Sequence, residues 1–123
     1  MATPKTIAII LAGGTGTRMG LGYNKVFAEL FGRSILAHSI FAFEKNPAIN
    51  EIVVAVGNPA AVDVAQEISQ VQSIIKAEHF KKVTAIVPGG LTRMDSVESA
   101  LQAAAPSDDD VVLVHDGARP LVT

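Results

Sequence analysis

The sequence has no cysteine, almost no net charge and no long apolar run. Each absence removes a class of function. Without cysteine there is no disulfide framework and no thiolate metal site, which fits a reducing compartment. A formal net charge of −2 provides no field to draw in nucleic acid or an anionic membrane. The amino-terminal apolar run, Ile7–Ala12, is too short for a signal-peptide core and far short of a membrane span. The expectation is a soluble, cytoplasmic protein with neither nucleic acid nor membrane as partner. Internal repeats and low-complexity tracts are also missing. What is present, 49% hydrophobic and 18% charged residues over 123 positions, suits one globular domain.

Thr6–Leu11 is a continuous, isoleucine-rich run that stops at glycines, the pattern of a strand buried on both faces. Ser34 can cap a helix over Ile35–Glu44, with Ile35, Leu36, Ser39, Ile40 and Phe43 inward and Asn46-Pro47 as its stop. Glu51–Val56 reads as a second buried strand, closed by Gly57-Asn58-Pro59. A helical composition runs from Ala60 to about Ser73, and a third strand over Lys82–Val87 ends at Pro88-Gly89-Gly90. Thr92 or Asp95 opens a helix to Ala105, where Val97, Ala100, Leu101 and Ala104 recur at helical spacing. Asp110–His115 is a fourth strand after the polar turn Asp108–Asp110. Phe27, Phe31, Phe41 and Phe43 are expected in the core, and His38 and His79 at the surface.

Apolar strands alternating with helices predict an α/β fold: a Rossmann-like three-layer sandwich around a mostly parallel sheet. Right-handed crossovers place every strand's carboxyl end on one edge, where open α/β sheets bind ligands. Three loops with unusual residues follow strand ends: Gly13–Lys25, Gly89–Ser96 and Asp116–Pro120. The first is glycine-rich but matches neither common phosphate loop. A dinucleotide fingerprint counted from Gly14 meets Met19 at its third glycine, and one counted from Gly13 fails at Thr15. A Walker A loop counted from Gly13 has Arg18 at the sixth place and no lysine after it. What remains is Gly13-Gly14-x-Gly16-x-Arg18, then Lys25. Glycines let backbone N–H groups approach an anion, Arg18 offers a planar fork of donors and Lys25 a mobile charge, together suited to a triphosphate.

LAGGTGTRMG followed by NK resembles the signature of the sugar-nucleotide nucleotidyltransferases. GGLTRMDSVESAL and VHDGARPLVT narrow the resemblance to the cytidylyltransferases acting on 2-C-methyl-D-erythritol 4-phosphate in non-mevalonate isoprenoid biosynthesis. The likeness runs in order from Ile7 to Thr123. It implies transfer of CMP from CTP to a polyol phosphate with loss of pyrophosphate. On the matching positions, Arg18 and Lys25 would be the catalytic cations and Asp116 the Mg²⁺ ligand. Leu11, Ala12, Gly13, Gly14, Gly90, Ser96, Asp116 and Gly117 would line the nucleotide. Arg93 and Asp95 would brace their loop or touch ligand, and Arg119 and Pro120 would fix the loop beyond Asp116. His115, facing away from Asp116 on its strand, is expected to be a hydrogen-bonded structural residue.

Two positions depart from the family's commonest pattern. Asn24 stands where proline often precedes the lysine, and Leu91 where an aspartate often meets the ribose. Ribitol-phosphate cytidylyltransferases are close relatives, but the D-S-V of the middle motif leans toward the methylerythritol group. A nucleotide-binding module without catalysis is the reading from a different class. Members of the family, expected to be homodimers, run to roughly twice this length. The resemblance therefore implies an amino-terminal, CTP-binding part of the domain (residues 1–123), with a sheet incomplete on its carboxyl-terminal side and no turnover of its own.

Overall fold

In the computed structural model, which describes residues 4–12, 29–57, 64–90 and 92–116, the first apolar run forms strand β1 (Thr6–Ala12). A small antiparallel hairpin follows, β2 (Glu29–Leu30) and β3 (Arg33–Ser34), and leads directly into helix α1 (Ile35–Glu44). Then come β4 (Glu51–Val56), α2 (Val64–Glu78), β5 (Val83–Pro88), α3 (Arg93–Ala104) and β6 (Val111–Asp116). The main sheet has the order β5-β4-β1-β6 with every pair parallel. The expected α/β architecture is present, as an open four-stranded parallel sheet.

Burial explains why β1 and β4 sit in the middle. Ile7 to Ala12 and Ile52 to Val56 are all essentially inaccessible, as period-two side chains of both parities must be when helices cover both faces. Ala8, Ile10, Ala12, Ile52, Val54 and Val56 join the core under α1 and α2. Ile7, Ile9, Leu11, Val53 and Ala55 point the other way, to α3. Each large side chain removed from water in this way contributes about 1.5–3 kcal/mol. The helix faces follow the sequence pattern. Leu36 and Ile40 of α1 are fully buried, and Ala100 of α3 is buried with Val97, Leu101 and Ala104 packed beside it. Ser34 caps α1 by accepting from Ala37 N at 3.0 Å, and Thr92 caps α3 by accepting from Asp95 N at 3.1 Å.

Several expectations are corrected. Phe31 is 92% exposed, because it occupies the turn of the β2–β3 hairpin. Phe41 is also exposed, flanked by the Arg33 guanidinium at 4.7 Å and the Lys45 ammonium at 5.3 Å from its ring centroid. Phe43 does pack on the core, and the unheralded Phe80 is buried there; Phe27 lies outside the described residues. His38 is half-buried rather than on the surface. Helix α2 continues to Glu78, past Ser73. His79 then takes a left-handed conformation (φ 58°), with Phe80 N donating to Ile75 O and His79 N to Lys76 O, a Schellman cap built without glycine. The stretch before Val64 lies outside the described residues. No described helix is long and apolar enough to cross a membrane.

The amino edge of the sheet is tied by polar side chains. Asp110 accepts from Lys5 N at 2.8 Å and from Ser107 N at 2.9 Å, so Asp108–Asp110 is a polar turn whose last carboxylate clamps β1 to the start of β6. Among the described residues no cluster of acidic or histidine side chains could hold a metal. Asn50 Oδ1 accepts from Thr6 N at 2.7 Å, Lys5 Nζ meets Glu51 at 2.8 Å, and Glu44 accepts from Lys81 N and Lys82 N.

The hydrogen bonds from Lys5 N and Ser107 N hold the Asp110 carboxyl below its ordinary value of 3.8. A depressed carboxyl stabilises the fold above that ordinary, unfolded-state value, and the contribution is lost as pH falls through the lower folded-state value. Thermal melts of wild type and Asp110→Asn should therefore differ at neutral pH, with the variant less stable, and converge below that value. At the hairpin, Phe31 (φ 54°) and Gly32 (φ 81°) form a two-residue turn with both central φ positive, a shape that favours Asn-Gly. Phe31→Asn should stabilise the protein by about 1 kcal/mol, since an exposed ring gains no burial to offset its left-handed strain. Chemical denaturation reads that difference directly.

Candidate functional site

A parallel sheet of order β5-β4-β1-β6 reverses direction beside β1. The chain moves outward from β1 through β4 to β5, then crosses back to place β6 on the other side. The crevice beyond the carboxyl ends of β1 and β6 is the position where such sheets bind ligands. Here Leu11 pairs in register with Asp116. Ala12, buried, ends β1, and the half-buried Asp116 ends β6. The neighbouring His115 pairs with Ile10 and turns to the opposite face, where its ring meets Phe43 edge-on at 5.4 Å between centroids. That alternation puts Asp116 on the α3 side of the sheet, the side that also carries Leu11.

The second part of the rim is the turn from β5 into α3. Gly89 N donates to Val56 O at 2.8 Å, extending the β4–β5 ladder by one bond. Gly90 N donates to Ser96 Oγ at 2.9 Å, and Ser96 Oγ donates to Thr92 O at 3.2 Å. Ser96 is buried, one turn into α3. Both glycines are required by close approach. A Cβ on Gly89 would collide with the carbonyl oxygen of Gly57, and one on Gly90 with the Cβ of Asp95. Gly57 itself is buried and has φ 84°, a conformation that suits glycine.

Of the residues singled out in the sequence, Leu11, Ala12, Gly90, Ser96 and Asp116 lie at this edge, on the ends of β1 and β6 and at the start of α3. Gly13, Gly14, Arg18, Asn24, Lys25, Leu91, Gly117, Arg119 and Pro120 lie outside the described residues. Arg93 and Asp95 are exposed on the first turn of α3. Gly57 and Thr92 were not picked out as site residues, yet Gly57 packs on Gly89 and Thr92 anchors Ser96. The available signals were a glycine straight after a buried strand and a threonine three residues before an aspartate.

Asp116 is a hard oxygen donor at the mouth of the crevice. One carboxylate suits Mg²⁺ bound chiefly through phosphates and water, rather than a cation caged by protein alone. Among the described residues no group of three or more acidic, histidine or cysteine side chains could hold a metal ion. A carboxylate oxygen at this position is chemically suited to a hard divalent cation.

Residues 6–123 match the family described as IspD: 2-C-methyl-D-erythritol 4-phosphate cytidylyltransferase. The enzyme of that name from Alkaliphilus oremlandii is 48% identical over 120 residues, which are 97% of this chain and 48% of the relative. The one from Clostridium tetani is 45% identical over 119 residues, 97% of this chain and 45% of that protein. Among solved structures, the Francisella tularensis 2-C-methyl-D-erythritol 4-phosphate cytidylyltransferase superposes with a TM-score of 0.69 at 29% identity, covering 97% of this chain and 46% of that one. The 4-diphosphocytidyl-2C-methyl-D-erythritol synthase of Anaerococcus prevotii gives 0.72 at 26% identity, over 98% and 46%. This chain spans about half the length of the curated relatives it matches. With the family matched across nearly every residue, and the same fold in its solved relatives, the chain belongs to the 2-C-methyl-D-erythritol 4-phosphate cytidylyltransferase family.

Proposed function

We propose that this stretch supplies the CTP side of a cytidylyltransferase that transfers CMP from CTP to 2-C-methyl-D-erythritol 4-phosphate and releases pyrophosphate. The observation that carries the reading is the pairing of Leu11 with Asp116 at the reversal of strand order. It brings the lead into the glycine-rich, Arg18-bearing loop next to the carboxylate of the last strand. Family membership supplies the reaction class, and the relatives' names supply the acceptor.

In this reading the phosphomonoester oxygen of the acceptor attacks the α-phosphorus of CTP in line. The bond to the bridging oxygen of the β-phosphate breaks, and pyrophosphate leaves. Phosphoryl chemistry of this kind depends on positioning and charge stabilisation more than on covalent work by the protein. Arg18 and Lys25 neutralise the crowded α-phosphate and the departing pyrophosphate. The amides of Gly13 and Gly14 approach the phosphates, while Leu11, Ala12, Gly90, Ser96 and Gly117 line the nucleoside. Asp116 would hold Mg²⁺, which would supply charge neutralisation on the triphosphate. The enzyme works as a soluble cytoplasmic homodimer.

Calorimetric titration with CTP tests this on the chain itself. Wild type should bind CTP more tightly with Mg²⁺ than with EDTA. Lys25→Ala and Arg18→Ala should each weaken binding about tenfold or more, the usual scale for a lost charge-assisted contact. Asp116→Ala should remove the difference between the Mg²⁺ and EDTA titrations. Unchanged affinities in all three variants would sink the assignment. The acceptor is tested by pyrophosphate release from a protein spanning the relatives' full length. Methylerythritol phosphate should support release and ribitol 5-phosphate should not.

A further inference from the structure

Phe31 does little for the stability of a single copy of this chain. Its ring is 92% exposed, and its backbone is held at φ 54° in the turn of the β2–β3 hairpin. A left-handed conformation is strained for a bulky residue, and outliers of this kind cluster where something binds. Beside the turn lies a cleft of about 370 Å³, between the hairpin and the outer face of α2. The buried Ala37 and half-buried Ile74 lie at its floor. Gly32 and Arg33 line it from the hairpin, Ser73 and Ala77 from the helix. The hairpin side is held in place: Arg33 Nε meets Glu78 at 3.2 Å, and the same guanidinium lies over the Phe41 ring at 4.7 Å. A cleft formed in advance lowers the ordering cost of binding. Cavities of about 150 Å³ take up benzene, so this one admits a phenyl ring.

We propose that the β2–β3 hairpin is a self-association surface, with Phe31 of each copy of this chain entering the cleft of a second copy about a two-fold axis. Two features select a second copy over an unrelated partner. Knob and hole are adjacent, since Gly32 lines the cleft and Phe31 precedes it, so one axis beside the hairpin satisfies both contacts at once. The cleft also carries one cation and one carboxylate, Arg33 and Glu78, and the same rotation turns Arg33 of each copy toward Glu78 of the other. Buried area sets the strength. An aromatic side chain buries about 150–250 Å². Two rings and the surfaces they cover come to roughly 600–1,000 Å², below the ~1,200 Å² at which stable interfaces begin. The dimer is therefore weak and concentration-dependent. It does not depend on the nucleotide site.

The test is sedimentation velocity on the full chain, in a concentration series from micromolar to millimolar. Wild type should pass from monomer to dimer toward the upper end and go no further. Phe31→Asn should weaken association about tenfold or more, the scale of a truncated aromatic anchor. Because that change relieves left-handed strain, the loss cannot be put down to unfolding. Ser73→Glu, at an exposed position that tolerates a better helix former, obstructs the cleft and should weaken association as much. Amide NMR signals of Gly32 and Ala77 should move on dilution of wild type and stay still in both variants. A wild-type dimer retained in either variant overturns the inference, because the contact then lies elsewhere. A wild type that stays monomeric to millimolar concentration also overturns it and leaves Phe31 to a different protein. Growth beyond the dimer overturns the two-fold arrangement.

Discussion

The two-sided burial of β1 is the constraint on which the rest depends. A strand with no accessible side chain from Ile7 to Ala12 can exist only with a hydrogen-bonded neighbour on each edge and a helical layer on each face. β4 and β6 supply the edges, α1 with α2 one face, and α3 the other. Because the side-chain period is two, a slip of one residue would exchange Ile9 for Ile10 against the wrong helix layer. Register is therefore fixed along β1, and with it the pairing of Leu11 with Asp116 at the carboxyl edge. A chemical site needs that kind of rigidity in its scaffold.

The two edges of the same sheet use polar groups differently. On the amino edge Asp110, Asn50 and Glu44 have their oxygens turned toward backbone N–H groups of other segments, and Lys5 and Glu51 close on each other. These side chains hold the ends of strands together. On the carboxyl edge the glycines allow backbone to approach backbone, with Gly57 against Gly89 and Gly90 against Asp95. Side-chain bulk is removed there and main-chain groups come to the rim. An amino edge tied by side chains and a carboxyl edge built from backbone divide stability from chemistry along one sheet.

Legibility in the sequence followed how local each signal was. Ser34 at the head of ILAHSIF identified its own helix start, and the spacing of Val97, Ala100, Leu101 and Ala104 identified the buried face of α3, because both are set by neighbours within a turn. The β2–β3 hairpin carries no such local signal. Its strands have two residues each, too few for a period, and its turn uses Phe-Gly in place of a recognisable Asn-Gly. The same hidden turn makes Phe31 read as a core residue in the sequence while it stands exposed in the fold. Helix α2 outran its expected end because a histidine, not a glycine, adopts the left-handed cap. At the rim, composition pointed to Gly89, Gly90 and Ser96, but not to which donor meets which acceptor. That depends on the three-dimensional path from β5 to Thr92.

The clamp of Lys5 by Asp110 joins residues 105 positions apart. In synthesis β1 is made about a hundred residues ahead of β6, its lateral partner. At translation speeds of roughly 5–20 residues per second, an isoleucine-rich ribbon waits on the order of 5–20 s for that neighbour. Such long-range parallel pairing makes for high contact order and slow folding. Until that partner has been made, the TIAIILA segment has one edge without its native hydrogen-bonded neighbour.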